Sequence, residues 1–275
     1  MYLLDLIKVI ILGLVEGITE WLPISSTGHL ILFEKILPLH TVSSTYMSMF
    51  RVVIQLGAIL AIILIYFKTL NPFDKSKDNY QKLNTWNIWK KVIFSSVIVG
   101  IIGLLLDDWF DKHFYNPLTI SITLIIYGVL FIIIERCDIK SKIHSIHELP
   151  LKIAIFIGTA QILALVPGTS RSGATIIVAL ILGCARPLAA QFSFFLAIPI
   201  MFGASGLKFI KYIYKFNFTF GEFFLLLIGM LVSFIVSIIT VKFLMNYLKK
   251  HTFVEFGYYR IGLGIIVLIF FAIFS

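Results

Sequence analysis

The sequence predicts an all-α integral membrane protein with six transmembrane helices and two re-entrant helical hairpins, arranged as an inverted-topology repeat. Three observations support this fold class. Of the 275 residues, 59% are hydrophobic and 13% are charged, long apolar runs recur along the whole chain, and two similar polar motifs interrupt it. The mean hydropathy of +1.00 is far above that of a soluble domain of this size.

Six apolar runs are predicted to cross the bilayer. The runs are continuous and lack the polar residue at every second position that is typical of a transmembrane barrel, so we expect helices to form the crossings. They cover residues 50–67, 92–106, 118–134, 188–206, 223–247 and 259–274.

Two further apolar segments are each interrupted by a proline. Residues 5–37 contain Pro23, and residues 152–184 contain Pro167. The arms of these segments cannot cross the membrane alone, because proline removes a backbone donor and disfavours helix in the residue before it. We therefore expect both segments to be re-entrant hairpins.

The two halves of the chain match when Pro23 is aligned with Pro167, an offset of 144 residues. Each half then contains one hairpin and three crossings, which predicts a single membrane domain over 1–275 with repeats in 1–140 and 145–275. Three crossings is an odd number, so the second repeat enters the membrane from the opposite side. In inverted repeats the broken helices meet near the bilayer midplane, and the two proline loops should therefore lie close together.

Basic residues are concentrated in the connections 68–91 and 135–152. Basic connections of plasma-membrane proteins face the cytoplasm, so these two connections are expected there. Counting the crossings on either side of them then places both termini on the outside. The connection 207–222 is predicted outside although it contains three lysines. Topology also accounts for the net charge of +9; membrane lipids are expected as partners and nucleic acid is not.

Two carboxylates precede the first proline loop. Glu16 and Glu20 are four residues apart and share a helix face. Charged groups at membrane depth are costly, which favours a functional pair. The pair could hold a divalent cation such as Mg²⁺ or Ca²⁺, or divide into an acid and a base. The alternative is a solvated pair near the membrane surface.

Three hydroxyl residues and a histidine follow Pro23. One of Ser25, Ser26 and Thr27 is expected to cap the second arm, but capping explains only one hydroxyl. A serine at a helix N-terminus, which favours anions, could act as a nucleophile. His29 is three residues beyond Ser26 and could serve as its base or as the acid for the leaving group, the alternative being a structural histidine.

The second proline loop contributes a cation. Arg171 opens the second arm between Ser170 and Ser172, a combination typical of an anion site in which a guanidinium binds phosphate oxygens. The alternative is an ion pair with Glu16 or Glu20 across the repeat interface, and the two interpretations are compatible. Together the motifs suit phosphoryl transfer on a lipid whose head group reaches the site.

The segments EGITEWLPISSTGHLIL, from Glu16, and PGTSRSGAT, from Pro167, resemble the motifs of the undecaprenyl-diphosphate phosphatase family, bacterial membrane enzymes linked to bacitracin resistance. The resemblance covers essentially the whole chain, including residues 54–60 and 192–199. It implies removal of the terminal phosphate from undecaprenyl diphosphate, a polyprenyl diphosphate lipid. The product, undecaprenyl phosphate, would return to peptidoglycan synthesis, and the site would open to the outer face of the bacterial plasma membrane.

The resemblance also implies roles for particular residues and a divalent cation that Glu16 and Glu20 could hold. The residues that match the family's catalytic set are Glu16, Glu20, Ser26, His29 and Arg171. The residues that match its phosphate-contacting loops are Ser25, Thr27, Thr169, Ser170 and Ser172. Serine, histidine and water all remain open as the nucleophile.

A lipid-phosphate flippase or ion-coupled transporter is the alternative function. Many secondary transporters are also inverted repeats with broken helices at the midplane. The converging serine, histidine and carboxylates favour the enzyme, because an anion-binding transporter does not need them. The sequence does not specify an oligomeric state, and a homodimer is compatible with it.

Overall fold

The computed structural model describes residues 2–137 and 139–274, and their regular structure is helical except for one isolated bridge between Ile143 and Cys184. A 3-10 helix over Ala160–Leu165 follows α8. The α-helices are α1 (Tyr2–Thr19), α2 (Ser26–Ile36), α3 (Ser44–Val53), α4 (Gln55–Ile65), α5 (Phe67–Leu70), α6 (Asn79–Phe114), α7 (Pro117–Arg136), α8 (Leu151–Thr159), α9 (Arg171–Ile181), α10 (Arg186–Lys215), α11 (Phe220–Tyr247) and α12 (Val254–Phe274).

Six helical segments among the described residues are long and apolar enough to cross a membrane. They overlap the six predicted spans one by one, which confirms their number and identifies a multi-pass membrane protein. Each begins earlier than predicted, because polar residues in the first turns resemble a connection. The segments are Ser44–Ile65, Asn79–Leu106, Pro117–Arg136, Arg186–Lys215, Phe220–Tyr247 and Val254–Phe274.

The largest difference concerns α6. Its first residues, 79–91, fall in a stretch that the sequence analysis treats as a connection because of its lysines. Asp78 and Gln81 form a reciprocal capping box that starts the helix there, and this arrangement satisfies amides that would otherwise lack acceptors. The helix therefore extends well beyond its apolar run.

The two predicted hairpins are helix–loop–helix units. The first joins α1 to α2 and the second joins α8 and the 3-10 helix to α9. The helices after the loops, α2 and α9, both have 11 residues. Their N-caps, Ser25 and Ser170, are 145 residues apart, one more than the two prolines, because the second loop has one more residue between the proline and the N-cap.

Close contacts between helix backbones join the two halves of the chain. A Cβ added to Gly17 of α1 would lie 2.8 Å from the Ser233 carbonyl oxygen of α11. A Cβ added to Gly128 of α7 or to Gly257 of α12 would lie 2.7 Å from the carbonyl oxygen of the other. α8 meets α6 in the same manner at Gly158. Small residues permit such close packing between membrane helices.

One end of the molecule, which we call the lysine-rich end, contains the end of α7, the connection between α7 and α8, the start of α10 and the connection before α12. Glu135, near the end of α7, accepts hydrogen bonds from Arg186 at the start of α10 and from the Phe253 amide before α12. Lys91 of α6 donates to the Ile146 carbonyl oxygen in the connection between α7 and α8. These contacts bring the basic connections to the same end of the molecule.

The remaining connections lie at the opposite end. Glu222, in the first turn of α11, accepts a hydrogen bond from Tyr212 near the end of α10. Arg51 of α3 donates to the Tyr115 hydroxyl, just after α6. The six long helices therefore run alternately between two ends, as a multi-pass membrane protein requires.

Candidate active site

Glu20 links the two proline loops. Its Oε2 accepts a hydrogen bond from the Ser26 hydroxyl at 2.8 Å, and its Oε1 accepts one from Arg171 Nη2 at 3.3 Å. Glu20 and Ser26 are buried, and the Arg171 side chain is 10% exposed. The two motifs, far apart in sequence, thus meet at one carboxylate, and the predicted ion pair between the motifs is present at Glu20.

Helix ends place these three side chains. α1 ends at Thr19, and the Glu20 amide still bonds to the Glu16 carbonyl oxygen at 3.0 Å. Ser26 and Arg171 are the first residues of α2 and α9. The first amides of a helix have no intrahelical acceptor, so both residues lie where an anion is favoured.

The N-caps of these two helices share an uncommon backbone conformation. Ser25 has φ +73° and Ser170 has φ +70°, in the left-handed region that serine seldom occupies. The Ser25 hydroxyl accepts from the Gly28 amide at 3.3 Å, and the Ser170 hydroxyl accepts from the Gly173 amide at 3.2 Å. Strained backbone of this kind is often retained at functional sites.

Arg171 is held from three sides. Besides Glu20, its Nη1 donates to the Ser193 carbonyl oxygen of α10 at 2.6 Å, and its guanidinium carbon lies 5.8 Å from the ring centre of Trp21. Its buried Nε has no acceptor among the described residues. The guanidinium is therefore fixed in place and retains donor capacity.

Glu16 lies behind Glu20 and is fully buried. Neither of its carboxylate oxygens has a hydrogen-bond donor among the described residues. No group of three or more His, Cys, Asp or Glu side chains within the described part of the chain could hold a metal ion. The orphaned oxygens of Glu16 nevertheless fit a cation that takes its other ligands from Glu20, substrate and water, as Mg²⁺ commonly does.

The ring nitrogens of His29 are hydrogen-bonded to groups other than Ser26. Its Nδ1 lies 2.7 Å from the Ser25 carbonyl oxygen, and its Nε2 lies 2.7 Å from the Tyr259 hydroxyl. A carbonyl oxygen only accepts, so Nδ1 carries a proton, and Nε2 of the neutral ring accepts from Tyr259. Glu20, rather than His29, is the group within hydrogen-bond reach of Ser26.

A cavity of about 380 Å³ lies beside the loops. Its walls include α6 and α10, and it extends toward Lys208 and Lys211, near the opposite end. The predicted site residues that line it are Glu20, Ser25, Ser26, Thr27, Ser170 and Arg171. The predicted residues outside its walls are Glu16, His29, Thr169 and Ser172, all buried.

Thr169 and Ser172 support the loops from within. The Thr169 carbonyl oxygen accepts a hydrogen bond from Arg260 at 2.9 Å. The Ser172 hydroxyl lies 3.1 Å from that of Ser170 and donates to the Glu20 carbonyl oxygen at 3.5 Å. Both residues are 1% exposed and lie outside the cavity wall, so they contact other parts of the protein and not the cavity.

Glycines shape the apolar part of the cavity. Gly100 and Gly103 of α6 and Gly203 of α10 line it, and a Cβ added to any of them would meet nothing within 4 Å. They differ from the glycines at the helix contacts described above, where a Cβ would collide. These three leave open space beside the site.

Three residues around this site were not predicted from the sequence. Gln161 lines the cavity, is 2% exposed, and has an Oε1 without a donor among the described residues. Tyr259 bonds to His29, and Arg260 is fully buried and bonds to both proline loops. The available signal was a charged residue, Arg260, inside a predicted span, because such residues are rare and functional.

Comparison with known proteins identifies a family. Residues 9–266 match the family described as Bacitracin resistance protein BacA. The chain belongs to this family. Membership in the BacA family confirms the resemblance carried by the two motifs.

Three BacA relatives are named undecaprenyl-diphosphatase. The protein from Acetivibrio thermocellus is 53% identical, with 98% of each chain covered. Those from Enterococcus faecalis and Desulfitobacterium hafniense are both 52% identical. The similarity to the first covers 96% of each chain, and the similarity to the second covers 99% of this chain and 98% of the relative.

Proposed function

We infer that this chain is a membrane phosphatase that hydrolyses undecaprenyl diphosphate to undecaprenyl phosphate and inorganic phosphate. The observation that carries this inference is the contact of Glu20 with both Ser26 and Arg171 at the wall of a membrane-embedded cavity. The reaction recycles the lipid carrier of cell-wall synthesis. Bacitracin resistance is consistent with the family name.

The diphosphate group binds between the N-termini of α2 and α9. Amides at both helix starts favour anions, and Arg171 adds a fixed positive charge. Ser25, Thr27 and Ser170 line the same part of the cavity and can donate to phosphate oxygens. Thr169 and Ser172, which face the protein, hold the loop in shape.

The prenyl chain leaves the site between α6 and α10. This part of the cavity is apolar and is widened by Gly100, Gly103 and Gly203. An apolar chain in this space stays out of water while its head group reaches Ser26.

Ser26 is the nucleophile in the mechanism that the contacts favour. Its oxygen attacks the terminal phosphorus, its proton passes to Glu20, and the bond to the bridging oxygen breaks to release undecaprenyl phosphate. Water then attacks the phosphorus of the phosphoserine, and Glu20 returns its proton to the Ser26 oxygen as the bond between that oxygen and phosphorus breaks. The inorganic phosphate that leaves contains the oxygen and both protons of the water. Arg171 stabilises the charge of the transferred group.

His29 and water are the other two candidate nucleophiles, and the contacts speak against His29. Both nitrogen atoms of His29 are engaged, with the Ser25 carbonyl oxygen and with Tyr259. We therefore assign His29 to holding the turn before Ser26. Direct attack by water would use Glu20 as the base in the same position.

Glu16 and Glu20 would hold a divalent cation, Mg²⁺ or Ca²⁺. The cation would neutralise negative charge on the diphosphate. The two unpartnered oxygens of Glu16 support this assignment.

The two helix–loop–helix units are re-entrant hairpins, and the chain is a single inverted repeat with halves 1–140 and 145–275. Support comes from pairs of like residues 145 apart: both N-caps have positive φ, and both first arms meet a long helix of the other half at a glycine. Glu16 and Gln161, also 145 apart, are both buried with unpartnered oxygens. The pairs are Gly13 with Gly158, Glu16 with Gln161, Ser25 with Ser170, and Gly28 with Gly173.

The lysine-rich end faces the cytoplasm of the bacterial plasma membrane, in accordance with the distribution of basic residues. The cavity extends from Arg171 toward Lys208 and Lys211 near the opposite end, so the site opens to the outer face. A homodimer remains compatible with this arrangement.

The test is release of phosphate from undecaprenyl diphosphate by purified protein in detergent. We expect release by the wild type, a loss of at least about 100-fold in Glu20→Gln because the base is removed, and no change in Glu148→Gln, an exposed carboxylate at the lysine-rich end. A folded wild type that releases no phosphate but moves lipid phosphate across vesicles would instead establish the transporter.

A further inference from the structure

Arg260 connects the two proline loops from within a membrane-spanning helix. It lies in α12 and is fully buried. Its Nη1 donates to the Pro23 carbonyl oxygen at 3.1 Å, and its Nη2 donates to the carbonyl oxygens of Gly168 at 2.8 Å and Thr169 at 2.9 Å. One guanidinium therefore binds the backbone just before Ser26 and the backbone just before Arg171.

The charge of Arg260 is balanced by the dipoles of the carbonyl groups to which it donates. Within the described residues no carboxylate lies at ion-pair distance from it, and the ring centre of Tyr127 lies 5.5 Å from its guanidinium carbon. A charge at this depth is costly and is seldom present without a function. Its hydrogen bonds indicate that the function concerns the loop backbone.

These bonds set the orientation of peptide planes. In a trans peptide the carbonyl and the following amide point in opposite directions. Because Arg260 holds the Thr169 carbonyl oxygen, the Ser170 amide points away from Arg260, and Ser170 lines the cavity. Ser170 also has φ +70°, a strained conformation that persists only where surrounding contacts enforce it.

Arg260 itself does not reach the substrate space. It is absent from the cavity wall and has no exposed surface. Its surroundings fix it tightly: a Cβ added to Gly173 would lie 3.1 Å from its Nη1, and α12 is held against α7 at Gly128 and Gly257.

We propose that Arg260 is a positioning residue that holds the two phosphate-binding loops in register, so that Ser26, Glu20 and Arg171 meet in a reactive geometry. The proposal rests on the proposed phosphatase function. It requires the forked guanidinium, because a single ammonium group cannot present the same set of donors to both loops.

The first test compares Arg260→Lys with wild type in phosphate release and thermal unfolding. We expect kcat to fall about 100-fold, as for catalytic groups displaced by about 1 Å. KM should change little, because the apolar prenyl chain, which Arg260 does not touch, supplies most of the affinity. The matched control is Arg136→Lys, which alters a bond to Tyr258 between the same helices, α7 and α12, and should leave kcat unchanged.

The second test uses Arg260→Ala with guanidinium ion added at millimolar concentration, against the same concentration of sodium ion. Partial recovery of kcat with guanidinium alone is expected. Wild-type kcat in Arg260→Lys would overturn the proposal, as would a loss that matches the loss of folded protein and is not restored by guanidinium. An inactive, folded wild type would instead contradict the phosphatase function itself.

Discussion

The Ser26 hydroxyl donates a hydrogen bond to the Glu20 carboxylate at 2.8 Å. In the proposed mechanism this contact makes Glu20, just after α1, the base for Ser26, in place of His29, which follows Ser26 in α2. The second oxygen of Glu20 binds Arg171, so any movement of the arginine toward substrate also changes the environment of the base.

Arg171→Lys should reduce kcat/KM for phosphate release by about 100- to 1000-fold, the range seen when a stabilising donor is removed from a transition state. Lysine keeps the charge but cannot contact Glu20, the Ser193 carbonyl oxygen and a phosphate in the same geometry. Steady-state kinetics on undecaprenyl diphosphate measure the effect. Arg186→Lys, at the lysine-rich end, is the control, and an equal loss in both variants would contradict a specific role of Arg171.

Glu16→Gln should raise the Mg²⁺ or Ca²⁺ concentration needed for half-maximal activity by roughly tenfold, because one anionic ligand is lost. Thermal unfolding gives a second measurement: added cation should stabilise the wild type more than the variant, since a ligand stabilises the state that binds it. Glu148→Gln should behave as wild type. Identical cation dependence in all three proteins would remove Glu16 from the cation site.

Gly203→Leu should raise KM for undecaprenyl diphosphate but not for a short prenyl diphosphate such as the 15-carbon compound. The added side chain would occupy open space beside the site, which only a long chain needs. Gly262→Leu is the matched control and should leave KM for both substrates unchanged, because Gly262 also has open space around it but lies outside the cavity wall. Equal KM changes for both substrate lengths would contradict the proposed path of the prenyl chain.

Gly57→Ala should destabilise the fold by about 1–3 kcal/mol, as overpacking generally does. A Cβ at Gly57 of α4 would collide with the Met230 backbone of α11, which cannot move without shifting the helix. Chemical or thermal unfolding in detergent measures the loss. Gly262→Ala, with open space around it, should leave stability unchanged, and a wild-type unfolding midpoint in Gly57→Ala would contradict the close packing of α4 on α11.

Much of the fold follows from local sequence. The six spans were predictable because bilayer thickness demands long apolar helices. Their starts were not, since α6 continues into polar residues through the capping box of Asp78. The helix starts after the two prolines also differ by one position, since one more residue separates Pro167 from its N-cap than separates Pro23 from its own.

The site was predictable only in part. Charged and hydroxyl residues in apolar sequence marked Glu20, Ser26 and Arg171, and the structure brings these three together. His29 is hydrogen-bonded to the Ser25 carbonyl oxygen and to Tyr259 instead of to Ser26, because helical spacing says which residues share a face and not which partners that face will meet. Tyr259 and Arg260 come from α12, far away in the chain, and no local pattern relates them to the loops they hold.

The most direct test of the account is the capture of a phosphorylated intermediate. The protein would be mixed with undecaprenyl diphosphate carrying a radiolabelled terminal phosphate, quenched in acid within milliseconds to seconds, and digested to locate the label. We expect label on Ser26, none in Ser26→Ala, and an unchanged signal and turnover in the exposed control Ser76→Ala. Full turnover by Ser26→Ala, with no labelled protein at any time, would contradict it.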